Sequence, residues 1–92
     1  MVQFSEEATA DLENIYETIA VYNPALAQEK IDGIQKVCAL IDTRQTMGMA
    51  VSGTENGRRF STPPWIIYYR PGPTGIFVYR VFHSRQDWRA LI

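Results

Sequence analysis

The sequence is poor in the side chains that small catalytic and metal-binding domains most often use. Its 92 residues include one cysteine, Cys38, and one histidine, His83. A lone cysteine excludes an internal disulfide framework and any zinc site built on paired cysteines. Cys38 shares a helical stripe with Ile34 and Ile41, so it reads as inert core filling rather than a nucleophile. No apolar run approaches the roughly 20 residues that span a bilayer. Met1 to Glu7 is acidic where a secretory signal would be basic and then apolar, which leads to the expectation of a cytoplasmic chain. There is no phosphate-binding glycine motif, no clustered His and Cys set and no Ser/His/Asp arrangement, so neither a metal nor an organic cofactor is expected. Lysine is scarce too: Lys30 and Lys36 are the only two, and both lie in the first half.

What is present belongs to one ordinary globular domain, taken as residues 1–92. Hydrophobic residues make up 46 % and charged residues 21 %, which excludes a disordered or membrane-spanning class. A chain of this length buries roughly 60 to 70 % of its unfolded surface, giving a thin core. The net charge is only -1, but it is unevenly spread. Residues 1–55 carry nine of the ten acids and three of the nine bases, whereas residues 56–92 carry six arginines against Asp87 alone. Those arginines are Arg58, Arg59, Arg70, Arg80, Arg85 and Arg89, and eight of the eleven aromatics lie in the same stretch. Arginine makes forked contacts to carboxylate or phosphate and stacks on rings. Such a surface suits nucleic acid or an acidic protein segment, and equally the solvated outer face of a sheet.

The period of the apolar residues divides the chain. Phe4, Ala8, Leu12, Ile15, Ile19 and Tyr22 recur at spacings of four and three, one face of an amphipathic helix capped by Ser5, with Glu6 and Glu7 in its first turn. Asn23 and Pro24 then open a second helix whose stripe is Ala27, Ile31, Ile34, Cys38 and Ile41. Gly33 weakens this helix by roughly 1 kcal/mol relative to alanine, which predicts a close approach of the first helix or the sheet there. From Asp42 to Gly57 no period persists, and the segment reads as a surface connection. After it the period becomes two: Arg58 to Ser61, Trp65 to Arg70 and Ile76 to His83 form an antiparallel meander, turning at Pro71 to Gly75. Pro63 and Pro64 lie in a connection, and Val2 to Phe4 supplies a short N-terminal edge strand. The expected fold is α+β, an N-terminal helical hairpin packed on a small antiparallel sheet.

On the last strand Arg80 alternates in phase with Ile76, Val78 and Phe82, and His83 with Phe77, Tyr79 and Val81. Apolar residues on both phases mark a central strand. Arg80 is then either paired in a partly buried site or held at a functional groove. His83 either caps the strand end, by bonding backbone or Asp87, or takes part in proton transfer. The closing Trp88, Leu91 and Ile92 complete the core or form a partner-binding patch.

Read in order, Ala10-Asp11-Leu12 with Ile15, Asn23-Pro24-Ala25, Met47-Gly48, Gly57-Arg58-Arg59-Phe60, Ile66-Ile67-Tyr68-Tyr69-Arg70 and Ile76 to His83 resemble the ParE-like branch of the RelE/ParE toxin superfamily over nearly the whole chain. The most specific part is Arg80-Val81-Phe82-His83-Ser84-Arg85-Gln86-Asp87. The resemblance implies a plasmid-stabilisation type of protein: a type II toxin that inhibits growth and is neutralised by a cognate antitoxin. RelE-type relatives cleave messenger RNA on the ribosome, whereas ParE-type relatives inhibit DNA gyrase. RNA cleavage needs a base, an acid and phosphate-stabilising cations. Arg58, Arg59, Arg70 and Arg80 could supply only the cations, and the lysines that RelE-type enzymes draw on in this region are missing. His83 keeps that alternative open. The favoured expectation is a gyrase-binding toxin that is not an enzyme, with Arg58, Arg59, Arg80, His83, Arg85, Asp87, Trp88, Arg89 and Leu91 facing target or antitoxin. A relative that binds antitoxin without toxicity, a homodimer and a toxin–antitoxin hetero-oligomer all stay open.

Overall fold

The computed structural model describes residues 1–85. Asp87, Trp88, Arg89 and Leu91, expected above to contact partners, lie outside the described residues, as does Ile92. The elements run β1 (Gln3–Phe4), α1 (Glu6–Ala20), α2 (Pro24–Thr43), a 3-10 turn (Gln45–Met47), β2 (Met49–Ala50), β3 (Arg58–Thr62), β4 (Trp65–Arg70) and β5 (Phe77–His83). The two helices pack on a five-stranded sheet of order β1-β5-β4-β3-β2. This is the expected α+β architecture, with two differences. β1 runs parallel to β5, so the sheet is mixed. The segment expected to be a bare connection holds the 3-10 turn and β2, which lengthens the sheet beyond β3.

Local chemistry explains where the helices begin. The Ser5 hydroxyl accepts the Ala8 N–H at 2.9 Å and the Asn23 side chain accepts the Leu26 N–H at 3.0 Å, each satisfying an amide that the first helical turn leaves without a partner. Pro24 sits where a missing N–H costs nothing. On α2 the buried side chains are Ala27, Ile31, Ile34, Cys38 and Ile41, the whole of the expected stripe. Burial pushes the Cys38 thiol up to about 12, so no thiolate forms near neutrality. The stripe of α1 is followed only in part. Ala8 is buried and Leu12 and Ile15 pack on the core, but α1 stops at Ala20 and Tyr22 is 88 % exposed in the turn. The close approach expected at Gly33 is absent: Gly33 is exposed, and a Cβ built there meets nothing within 4 Å.

The main core lies between helices and sheet, where Ala8, Ile34, Cys38 and Ile41 meet Ile67, Tyr69, Ile76, Val78 and Val81. Each of the fully buried large residues contributes about 1.5 to 3 kcal/mol. The connection between α2 and β2 is fastened by Tyr69, whose hydroxyl accepts the Gly48 N–H at 3.0 Å and donates to the Gln45 carbonyl at 2.7 Å. Gly48 packs so close to this ring that a Cβ would collide with the Tyr69 hydroxyl and the Arg59 carbonyl. Just before this connection along the chain, the Asp42 carboxylate accepts the Ile76 N–H at 2.8 Å and the Met1 ammonium at 3.0 Å, joining the end of α2 to the start of β5. These two contacts, the backbone amide first, lower the Asp42 pKa below the ordinary carboxylate value.

Candidate functional site

The sheet has one face under the helices and one away from them, and register assigns each arginine to a face. β3 and β4 pair Arg58 with Tyr69 and Arg59 with Tyr68, and β4 pairs with β5 through Tyr68–Arg80 and Ile66–Phe82. Tyr69 belongs to the core beneath the helices, while Tyr68 packs with Ile66 and Phe82 on the other side. Directly opposed residues share a face. Arg59, Tyr68 and Arg80 therefore form a row across three strands on the open face, with Tyr79, Phe82 and Val51 around it.

The strict alternation expected for β5 fails here. Tyr68 opposes Arg80 but Tyr69 opposes Val78, so Tyr79 is an extra residue, a bulge that resets the phase. Val78 and Val81 both enter the core beneath the helices, whereas Arg80 and Phe82 share the open face. Arg80 and Val78, in one phase by counting, lie on opposite sides.

Of the two readings left open for Arg80, the geometry selects the paired one. Its guanidinium donates from Nε to Asp11 Oδ2 at 2.9 Å and from Nη2 to Asp11 Oδ1 at 3.0 Å, a forked contact, and lies 4.4 Å from the Phe82 ring centroid. The Asp11 contact raises the Arg80 pKa further above its ordinary value. Asp11 Oδ2 also accepts the Val81 N–H at 2.9 Å, and Ser5 donates its hydroxyl to the Tyr79 carbonyl at 2.9 Å. α1 thus completes the hydrogen bonding of β5 beyond the reach of the two-residue β1, which closes that edge of the sheet. Asp11 is the residue that reasoning from spacing could not assign. It is one acid among several in α1, 69 residues from its partner.

The remaining candidates are dispersed. Arg58 donates from Nη1 to the carbonyls of Gly48 at 2.6 Å and Thr46 at 3.3 Å, holding the 3-10 turn. Arg59 has no ion-pair partner among the described residues. Arg70, exposed at the end of β4, lies 5.5 Å from the Tyr79 ring centroid. Burial raises the Tyr79 phenol pKa, with the Arg70 charge opposing it, and the hydroxyl is buried without a hydrogen-bond partner among the described residues. His83 opposes Trp65, which packs on the core beneath the helices, and the two rings meet edge to face at 5.3 Å. Its Nδ1 accepts the Arg85 N–H at 3.1 Å, a backbone contact at the strand end, and Asp87, the other partner expected of it, lies outside the described residues. The structure thus brings Arg59, Arg70 and Arg80 to the open face and leaves Arg58 and His83 on the other.

Among the described residues no group of three or more His, Cys, Asp or Glu side chains could hold a metal ion, and no helix is long and apolar enough to cross a membrane. A groove of ≈ 620 Å³ runs between α2 and the β3–β4 turn, past Glu29, Lys30, Asp32, Gly33, Lys36, Pro64 and Trp65, and its lining among the described residues includes neither His83 nor an arginine.

The architecture has counterparts among solved structures. The chain is similar to a chromosomal ParDE toxin–antitoxin system from P. aeruginosa, at 19 % identity over 89 % of this chain and 92 % of that one, with a TM-score of 0.74. It is similar to the RelB–RelE antitoxin–toxin complex from Methanococcus jannaschii at 16 % identity over 98 % and 99 % of the two chains, with a TM-score of 0.61. No curated protein matches significantly. At these identities the likeness shows the fold. The family model for the ParE toxin of type II toxin–antitoxin systems, parDE, matches residues 2–88, and the chain belongs to that family of toxins.

Proposed function

We propose that this toxin inhibits growth by binding DNA gyrase, not by cutting RNA, and that a cognate antitoxin silences it by covering the open face of the sheet. The observation that carries this reading is the separation of three of the arginines from the one histidine, while Arg58, on the histidine's face, is bonded to the Gly48 and Thr46 carbonyls. Arg59, Arg70 and Arg80 share the open face, whereas His83 is turned to Trp65 on the other. Cleavage at a 2'-hydroxyl requires base and phosphate clamp within hydrogen-bond reach of one substrate. Arginine holds its proton too tightly to act as a shuttle, and burial moves the Tyr79 phenol further from neutrality. The arrangement suits binding: Arg59 and Arg70 flank an aromatic surface that an acidic and apolar antitoxin segment would match.

Purified toxin should inhibit supercoiling by gyrase, or trap gyrase on cleaved DNA, and leave messenger RNA intact in a translating extract. Codon-positioned cuts that vanish in a folded His83→Ala variant, with gyrase unaffected, would make the chain a ribosome-dependent nuclease instead. Folded protein that leaves growth, gyrase and translation all unchanged would make it a binding module for the antitoxin.

A further inference from the structure

Gly33 lies in the middle of α2, where glycine weakens a helix, yet among the described residues nothing lies within 4 Å of a Cβ built there. Leu26 and Leu40 lie seven residues to either side and are 37 % and 53 % exposed, large apolar side chains left in water. At 3.6 residues per turn both fall within about 20° of the Gly33 direction, one on each side, and about 10 Å from it along the axis. Val37 and Lys30 flank this line on one side, and Glu29 and Lys36 on the other. Glu29 and Lys36 are exposed, and neither has an ion-pair partner among the described residues.

We propose that this face of α2 is a docking surface for a second copy of the chain, packed antiparallel about a two-fold axis beside Gly33. A two-fold axis reverses height along the helix and keeps each flank on its own side. Leu26 then meets Leu40 of the second copy, and the two Gly33 backbones approach where any side chain would hold them apart. Glu29 comes level with the other copy's Lys36, and Lys36 with its Glu29. The aliphatic stem of Lys30 covers the other copy's Val37. Charge complementarity selects the occupant: the face carries on one flank both halves of its own ion pair, at heights that only an antiparallel copy brings together. One helix pair buries less than a standard interface, so the association is weak. Arg59 and Arg70 remain on the open face of the sheet, clear of this contact.

The test is sedimentation velocity on the full chain, freed of antitoxin, from about 1 µM to about 200 µM, the range in which a small interface associates. The sedimentation coefficient should rise with concentration. Glu29→Lys and Lys36→Glu should each weaken association about tenfold, since symmetry breaks every pair twice, and the double reversal should recover most of the loss. Both positions are exposed, so circular dichroism and melting should be those of the parent. A chain that stays monomeric throughout, or that associates with indifference to both reversals, overturns the proposal. Single reversals that weaken association without rescue in the double variant overturn it too.

Discussion

The two faces of the sheet are built from the same strands, yet they solve different problems. Beneath the helices, Ile67, Tyr69, Val78 and Val81 pack against Ala8, Ile34, Cys38 and Ile41, and stability there rests on removing apolar area from water. On the open face, a smaller cluster of Ile66, Tyr68 and Phe82 is ringed by arginines. The difference teaches that arginines of one face are not interchangeable. Arg80 is committed to Asp11 and Phe82, whereas Arg59 has no ion-pair partner among the described residues. A charge count along the chain gives both the same weight.

The comparison breaks most visibly if the two faces respond alike to truncation. Ile67→Ala should cost about 3 kcal/mol or more, the sum of lost transfer energy and a cavity, whereas Arg59→Ala should stay within about 0.5 kcal/mol. Urea denaturation of both variants checks this, and equal losses would erase the distinction between core and binding face. Arg59→Ala should instead weaken the antitoxin complex in calorimetry.

Asp11 offers a sharper test within the open face. Asp11→Ala leaves the Arg80 guanidinium and the Val81 N–H without an acceptor, and should cost about 2 kcal/mol in the same denaturation experiment, less than a fully buried pair because water reaches this one. Asp11→Asn retains one acceptor oxygen and should lose less. If Asp11→Ala matched the parent, Arg80 would belong with Arg59 among the uncommitted cations.

The glycines offer a contrast of their own, between Gly33 in α2 and Gly48 in the connection to β2. Gly33→Ala should raise stability by about 0.5 to 1 kcal/mol when measured at low protein concentration, because a Cβ there meets nothing and alanine favours the helix. Gly48→Ala should be destabilising, since its Cβ collides with Tyr69 and with backbone.

The smallest effect expected is electrostatic. The folded-state pKa of Asp42 lies below its ordinary value of 3.8, so its contribution is fully present above that value and is lost as pH falls through the lower folded one. Part of the stability loss below about pH 4 should therefore disappear in Asp42→Asn, as read from acid titrations of the two proteins by circular dichroism. Identical acid profiles would remove Asp42 from the account of how the helical layer is fastened to the sheet.

What the sequence determined by itself is whatever depends on neighbours along the chain. Ser5 and Asn23-Pro24 started the helices through local hydrogen bonds and a fixed φ, and the spacing of Ala27, Ile31, Ile34, Cys38 and Ile41 selected the buried face of α2. Trp65–Arg70 and the end of β5 at His83 were legible from alternation. Tyr22 continued the spacing of α1 but lies past its last turn, because periodicity carries no information about where a helix stops when no capping residue marks it. The candidate site was less legible. The residue types were evident, but the bulge at Tyr79 exchanged the faces that counting assigned on β5. Asp11 reached Arg80 and Val81 only after α1 had been laid along that strand, and Gly48 found Tyr69 across the sheet. Which arginines hold the fold and which are left without an ion pair among the described residues is a property of non-local pairing, and a count along the chain has no access to distances that only packing creates.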